Sequence, residues 1–126
     1  MKKKIVSLLV CILLLTACGG NSYETITADR VRELVVENAI IVDVRETDEY
    51  DSGHIDGSVN IPVGNISTID YSKDTKIIVY CVSGTRSANA AKELIEMGYT
   101  NVYNLDGGLI NWGFDLVVDD VIEKQD

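Results

Sequence analysis

Positive charge is scarce in this sequence. Its 126 residues carry 11 Lys and Arg against 20 Asp and Glu, a formal net charge of −9. Binding to DNA or RNA without regard to sequence rests on Lys and Arg facing phosphates, so this balance argues against a nucleic-acid partner. It argues equally against a body that lies flat on anionic lipid. Histidine is scarcer still, with one residue in the chain. No Cys/His cluster has metal-ligand spacing, and no glycine-rich phosphate loop precedes a lysine. Neither a metal nor a cofactor is expected. Internal repeats and low-complexity tracts are missing too.

What is present is an ordinary folded composition, 46% hydrophobic and 25% charged. A disordered chain would hold far fewer apolar residues. The length suits one domain and not two.

The first residues read differently from the rest. Lys2, Lys3 and Lys4 precede an apolar run from Ile5 to Leu15, 11 residues long. A membrane-crossing helix needs about 20. The run suits the apolar region of an export signal. Leu15-Thr16-Ala17-Cys18 then resembles the lipobox of bacterial lipoproteins. That resemblance implies cleavage before Cys18 and a diacylglyceryl group on its sulfur. Each buried CH₂ contributes about 0.8 kcal/mol, and stable attachment takes more than one chain. A plain export signal also ends in small residues, so simple secretion is the alternative. The expected organisation is a signal over 1–17, lipidated Cys18 with a linker over 18–22, a domain over 23–118 and an acidic tail over 119–126. The expected place is the outer side of the cell membrane, attached through lipid only.

Cleavage there would remove three lysines and no acid, leaving a net charge of −12. Of three cysteines, Cys11 would go with the signal and Cys18 would carry lipid. Cys81 would remain as the one free thiol. Exported cysteines usually pair in an oxidising compartment. An unpaired one there marks a reactive group.

Strand and helix patterns alternate along the domain. Tyr23 to Ile26 reads as a short strand. Thr27 is a candidate N-cap, with Asp29 in the first turn, where the helix dipole favours negative charge. Val31, Leu34 and Val35 follow at helical spacing, and Asn38 can close that helix. Ala39 to Val42 suits a strand buried on both faces. Thr47 to Ser52 reads as a short helix stopped by Gly53. Ser58 to Ile61 is a short strand ended by Pro62, which cannot donate to a ladder. Val63 to Asp74 carries no clear signal. Lys76 to Tyr80 is a strand, and Ser87 to Met97 a helix with Ala88, Ala91, Leu94 and Ile95 on one side. Val102 to Leu105 is a further strand. Asp106-Gly107-Gly108 is a turn, and Leu109 to Trp112 a helical turn or two. Such alternation predicts an α/β domain with a parallel sheet covered on both faces. Ligands in these sheets collect at the carboxyl ends of the strands.

At one such end stands Cys81-Val82-Ser83-Gly84-Thr85-Arg86, with the helix opening at Ser87. A tight loop between strand and helix turns consecutive backbone N–H groups inward, and such a nest attracts negative charge. The helix start adds a partial positive charge. Gly84 permits a conformation that a side chain would forbid. Arg86 adds a permanent cation. All four favour thiolate over thiol, so a lowered Cys81 pKa is expected. Taken alone, Cys81 would equally suit a small buried hydrophobe at a strand end.

Cys-x-x-Gly-x-Arg-Ser between a strand and a helix resembles the active-site loop of single-domain rhodaneses. Three other blocks resemble that family in the right order. They are Asp43-Val44-Arg45, then Gly53-His54-Ile55-Asp56-Gly57-Ser58-Val59-Asn60-Ile61-Pro62, then Asp106-Gly107-Gly108 with Trp112 beyond. The resemblance covers about Tyr23 to Phe114. It implies a five-stranded parallel sheet with helices on both faces. It implies transfer of sulfane sulfur from a donor such as thiosulfate, through a persulfide on Cys81, to a small thiol, cyanide or a partner-protein thiol. Cys81 is then the nucleophile, and Arg86 supports the loop and the anion. The backbone of Val82, Ser83, Gly84, Thr85 and Ser87 would hold the outer sulfur.

Two other readings stay open. One is a lipoprotein that binds sulfur or docks a partner with little or no turnover. The other is a phosphatase or arsenate reductase. The related cell-cycle phosphatases use Cys-x5-Arg, whereas four residues separate Cys81 from Arg86 here. The smaller ring suits a sulfur atom better than a tetrahedral oxyanion. His54 could pair with the cysteine, but a satisfied, structural histidine fits the resemblance better. Asp43 and Arg45 could touch substrate or form an ion pair that steadies the turn. Trp112 could wall the pocket or belong to the core. Val82, Ser83 and Thr85 are neutral and select no donor. Long-range repulsion by a net charge near −12 would act against anionic donors. Local amides must then select the donor, or the donor is uncharged or borne on a protein.

Overall fold

A computed structural model describes residues 22–119. The signal over 1–17, Cys18 and the tail beyond Asp119 lie outside the described residues.

Five parallel strands form one sheet in the order β1-β5-β4-β2-β3. They are β1 (Glu24–Ile26), β2 (Ile40–Asp43), β3 (Val59–Asn60), β4 (Lys76–Tyr80) and β5 (Asn101–Leu105). The α-helices are α1 (Ala28–Val36), α2 (Thr47–Asp51) and α3 (Thr85–Glu96), with 3-10 turns at Val63–Thr68 and Gly108–Asn111. The α/β class and the five-stranded parallel sheet agree with the reading of the sequence.

Local chemistry accounts for the element ends. The Thr27 hydroxyl accepts the Arg30 amide at 3.2 Å, which caps α1. Asn38 ends that helix at φ +66°, a left-handed conformation that asparagine tolerates better than most residues. Helix α2 starts on a reciprocal box between Glu46 and Glu49. Helix α3 begins at Thr85, two residues earlier than expected. Gly84 stands before it at φ +100°, and the left-handed turn there starts the helix at once.

Side chains alternate across the central strand and separate into two cores. Ile77, Val79 and Cys81 face α3 with Val42, Val44, Ala90, Ala91 and Leu94. Ile78 and Tyr80 face α1 with Val31, Leu34, Ile41, Leu105 and Trp112. Each large side chain buried in this way contributes about 1.5–3 kcal/mol. In α3 the buried stripe is Ser87, Ala90, Ala91 and Leu94, and Ala88 is only half-buried. The stretch 63–74, unreadable in the sequence, is held by Ile66 and Ile69 in the first core. The Tyr99 hydroxyl donates to the Ile69 and Tyr71 carbonyls at 3.2 Å each, and the Tyr71 amide returns a bond at 3.0 Å.

Among the described residues, no helix is long and apolar enough to cross a membrane.

Candidate active site

Strands β4 and β2 end side by side, with Tyr80 level with Asp43. Cys81 follows immediately at the carboxyl end of β4. Its residue is 1% exposed, and among the described residues it is the one free cysteine. The Gly84 amide donates to Sγ at 3.1 Å, and the Ser87 hydroxyl lies 3.4 Å from Sγ. Burial pushes the thiol pKa up. The Ser87 hydroxyl and the backbone amides of Ser87, Gly84 and Ser83 pull it down and prevail, so it lies below the ordinary thiol value. The ring around this sulfur therefore concentrates donors on it.

Two further contacts fix the loop from outside. The Leu109 amide donates to the Cys81 carbonyl at 3.0 Å, and the Ile110 amide to the Val82 carbonyl at 3.2 Å. That close approach needs Gly108. A β-carbon there would collide with the Cys81 carbonyl oxygen and stand 2.7 Å from Val82 backbone atoms. Beneath the loop, the Asn104 amide nitrogen lies 3.5 Å from the Gly84 carbonyl.

Arg86 sits in the first turn of α3, and its guanidinium grips Glu49 of α2. The two bonds measure 2.7 and 3.0 Å, one to each carboxylate oxygen. Bonding to Arg86 lowers the Glu49 pKa to about 2, and Glu49 in turn holds Arg86 above its ordinary value. The sequence reading has Arg86 support the loop and the anion, and the Cys81 charge is among the influences that raise its pKa. Both of its terminal nitrogens are engaged by Glu49, and the groups in hydrogen-bond contact with Sγ are the Gly84 amide and the Ser87 hydroxyl.

Asp43 and Arg45 pair with each other. Nε of Arg45 lies 3.1 and 3.0 Å from the two Asp43 oxygens, and Nη2 lies 2.7 Å from Oδ2. The Arg45 amide also donates to Asp43, and Nη2 reaches the Gly53 carbonyl at 2.6 Å. Both side chains are buried. This is the ion pair and turn support considered from sequence.

His54 is stacked on Tyr50 at 3.7 Å between ring centroids. Nδ1 donates to the Tyr50 carbonyl at 2.8 Å, and Nε2 lies 3.1 Å from the Asp119 carboxylate. Those partners take both ring nitrogens and leave neither for Cys81. His54 also exchanges two backbone bonds with Val117, at 2.9 and 2.8 Å. Asp119, the first residue of the expected acidic tail, is itself 74% exposed while its carboxylate meets His54. Trp112 belongs to the second core, on the face away from Cys81. It lines a separate cavity of about 220 Å³ with Val31, Val35, Ile41 and Ile55. It does not wall the thiol.

Glu49, Gly108 and the hydroxyl of Ser87 carry roles the sequence did not reveal. The sequence reading gives Ser87 a backbone role only, whereas its hydroxyl lies 3.4 Å from Sγ. Among the described residues, no group of acidic, histidine and cysteine side chains is placed to hold a metal.

Comparison with known proteins adds an independent line. Residues 27–114 match the family model described as a rhodanese-like domain. A thiosulfate sulfurtransferase GlpE of Pseudomonas paraeruginosa is 34% identical over 97 residues, covering 74% of this chain and 86% of its own. A rhodanese-related protein from Thermoplasma volcanium superposes with a TM-score of 0.67 at 30% identity, covering 77% of this chain and all of its own. A rhodanese-like domain protein from Staphylococcus aureus gives a TM-score of 0.68 at 28% identity, over 77% and 99% of the two chains.

Proposed function

The chain belongs to the rhodanese-like family, and from that premise we propose that it moves sulfane sulfur through a persulfide on Cys81. One observation carries the reading: a buried thiol whose pKa is lowered by a ring of amides and a serine hydroxyl.

The chemistry follows from that ring. The Cys81 thiolate attacks the outer sulfur of a donor such as thiosulfate. A new sulfur–sulfur bond forms, the old one breaks, and sulfite leaves with the electron pair. The persulfide's outer sulfur carries the negative charge. The first amides of α3 have no partner within the helix. Those of Thr85, Arg86 and Ser87 therefore stand ready to stabilise that charge. An acceptor, either cyanide or a thiolate, then takes the outer sulfur and restores the Cys81 thiolate. The covalent intermediate requires ping-pong kinetics. Cys81 is the one thiol among the described residues, so discharge falls to an outside acceptor.

We also propose that Cys18 is lipidated and holds the domain on the outer face of the cell membrane. The basic start, short apolar run and Leu15-Thr16-Ala17-Cys18 support this. Labelling with a radioactive fatty acid should mark the wild type and leave Cys18→Ala unmarked.

The sulfur reading is tested by mass spectrometry after incubation with thiosulfate and with other sulfur donors. Cys81 should gain 32 Da, about one sulfur atom, and lose it to cyanide as thiocyanate. Cys81→Ser should neither gain the mass nor turn over. Full sulfur transfer by Cys81→Ser would overturn the mechanism. A wild-type chain that never gains the mass would be a binding module instead.

A further inference from the structure

The cation nearest the reactive sulfur in sequence is already spoken for. Arg86 presents its terminal nitrogens to the two oxygens of Glu49, at 2.7 and 3.0 Å. The partners stand 37 positions apart in the chain, so the fold and not the local sequence joins them. The pair is partly open to solvent, with side-chain exposures of 36% and 32%. Nearby Arg45 is spent in the same way, on buried Asp43. Each guanidinium at this edge of the sheet thus has its own carboxylate. The loop side chains Val82, Ser83 and Thr85 bring no charge.

We propose that Glu49 is a specificity-determining residue that acts through Arg86: by occupying its guanidinium, Glu49 biases Cys81 against multiply charged anionic reagents. The inference deepens the sulfurtransferase reading and rests on it for its biological meaning. The favoured donors carry one negative charge or none at the end facing Arg86, as an organic persulfide or an alkanethiosulfonate does. The physical reason is competition. A carboxylate already bonded to both nitrogens must be displaced before a dianion gains the guanidinium, and until then it repels that dianion. An uncharged or singly charged donor loses less, because the amides and the Ser87 hydroxyl that receive its sulfur are untouched.

Charge preference at Cys81 can be measured without any sulfur transfer. Iodoacetate and iodoacetamide are similar in size, and only the first is an anion. Their second-order rates of alkylation at Cys81 would be followed by peptide mass spectrometry on the full chain, which separates Cys81 from the other cysteines. Because iodoacetate bears a single charge, Glu49→Gln should raise the ratio of iodoacetate to iodoacetamide rates about two- to threefold. Glu49→Asp keeps the charge on a shorter stem and should fall between wild type and Glu49→Gln. If both variants keep the wild-type ratio, the proposal is wrong.

A merely structural role for Glu49, which also closes the N-terminal box of α2, would lower the melting temperature without moving that ratio. Should Glu49→Gln fail to fold, Glu49→Asp decides the matter alone. Sulfur donors give the second arm. In Glu49→Gln the KM for thiosulfate should fall about tenfold and that for methanethiosulfonate, which bears one charge less, about threefold or less. The kcat values should change less than twofold. An equal change for both donors would overturn the proposal. A wild type that transfers no sulfur at all would refute the sulfurtransferase reading and leave the alkylation ratio to judge Glu49 separately.

Discussion

Two arginine–carboxylate pairs stand near the carboxyl edge of this sheet, and they do opposite work. Arg45 and Asp43 are sealed, with side-chain exposures of 6% and 0%. Arg86 and Glu49 are wet, at 36% and 32%. In the sealed pair Nη2 of Arg45 bonds both Asp43 and the Gly53 carbonyl. The wet pair can exchange its partner at small cost. Burial therefore separates a structural ion pair from one that chemistry can use.

Breaking the sealed pair should have the largest effect. Arg45→Met leaves Asp43 buried and uncompensated, a loss of about 3–5 kcal/mol. Urea denaturation monitored by circular dichroism would show it. The equivalent cut in the wet pair, Glu49→Gln, should change stability by about 1 kcal/mol or less. If the two losses came out equal, burial would not be what distinguishes the pairs.

Gly108→Ala comes next. Its φ is +57°, and an added methyl meets the Cys81 carbonyl. Strain of this kind costs about 1–3 kcal/mol. Because it falls on the loop itself, persulfide formation should drop at least tenfold, read as the rate of the 32 Da gain, about one sulfur atom.

Ser87→Ala is the gentlest change and the most specific. It removes the hydroxyl 3.4 Å from Sγ, one of the groups that hold the thiol pKa down. The pKa should rise toward the ordinary thiol value, so the rising limb of the alkylation-rate profile moves to higher pH. At pH 6 the rate should fall about three- to tenfold, and at pH 10 it should match wild type. The wet pair has its own window. Its contribution is present above the ordinary carboxylate range and is lost as pH falls toward the Glu49 value of about 2.

The sheet and the cysteine loop were legible because their signals are local. Ile77, Ile78 and Val79 stand in a row, and Cys81, Gly84 and Arg86 fall within six residues. Asp43 and Arg45 were legible as a possible pair for the same reason. Stretch 63–74 was not, since Ile66 and Ile69 are held by α3 and Tyr99, far along the chain. Glu49 could not be paired with Arg86 by spacing across 37 residues. Trp112 was open to both readings because a tryptophan near a glycine turn looks alike on either face of a sheet. The strand alternation that sends Cys81 one way and Tyr80 the other decides it.

The clamp on the loop has a consequence for how the thiol comes into being. Leu109 and Ile110, which hold the carbonyls of Cys81 and Val82, lie nearly thirty residues downstream of them. They sit in the 3-10 turn Gly108–Asn111, just past β5, the strand that β1 joins. A ribosome that has released residues through α3 has thus made the sulfur but not its harness. The donors to Sγ at Gly84 and Ser87 are already made by then, but the carbonyls of Cys81 and Val82 stay unclamped until the far segment of the chain arrives.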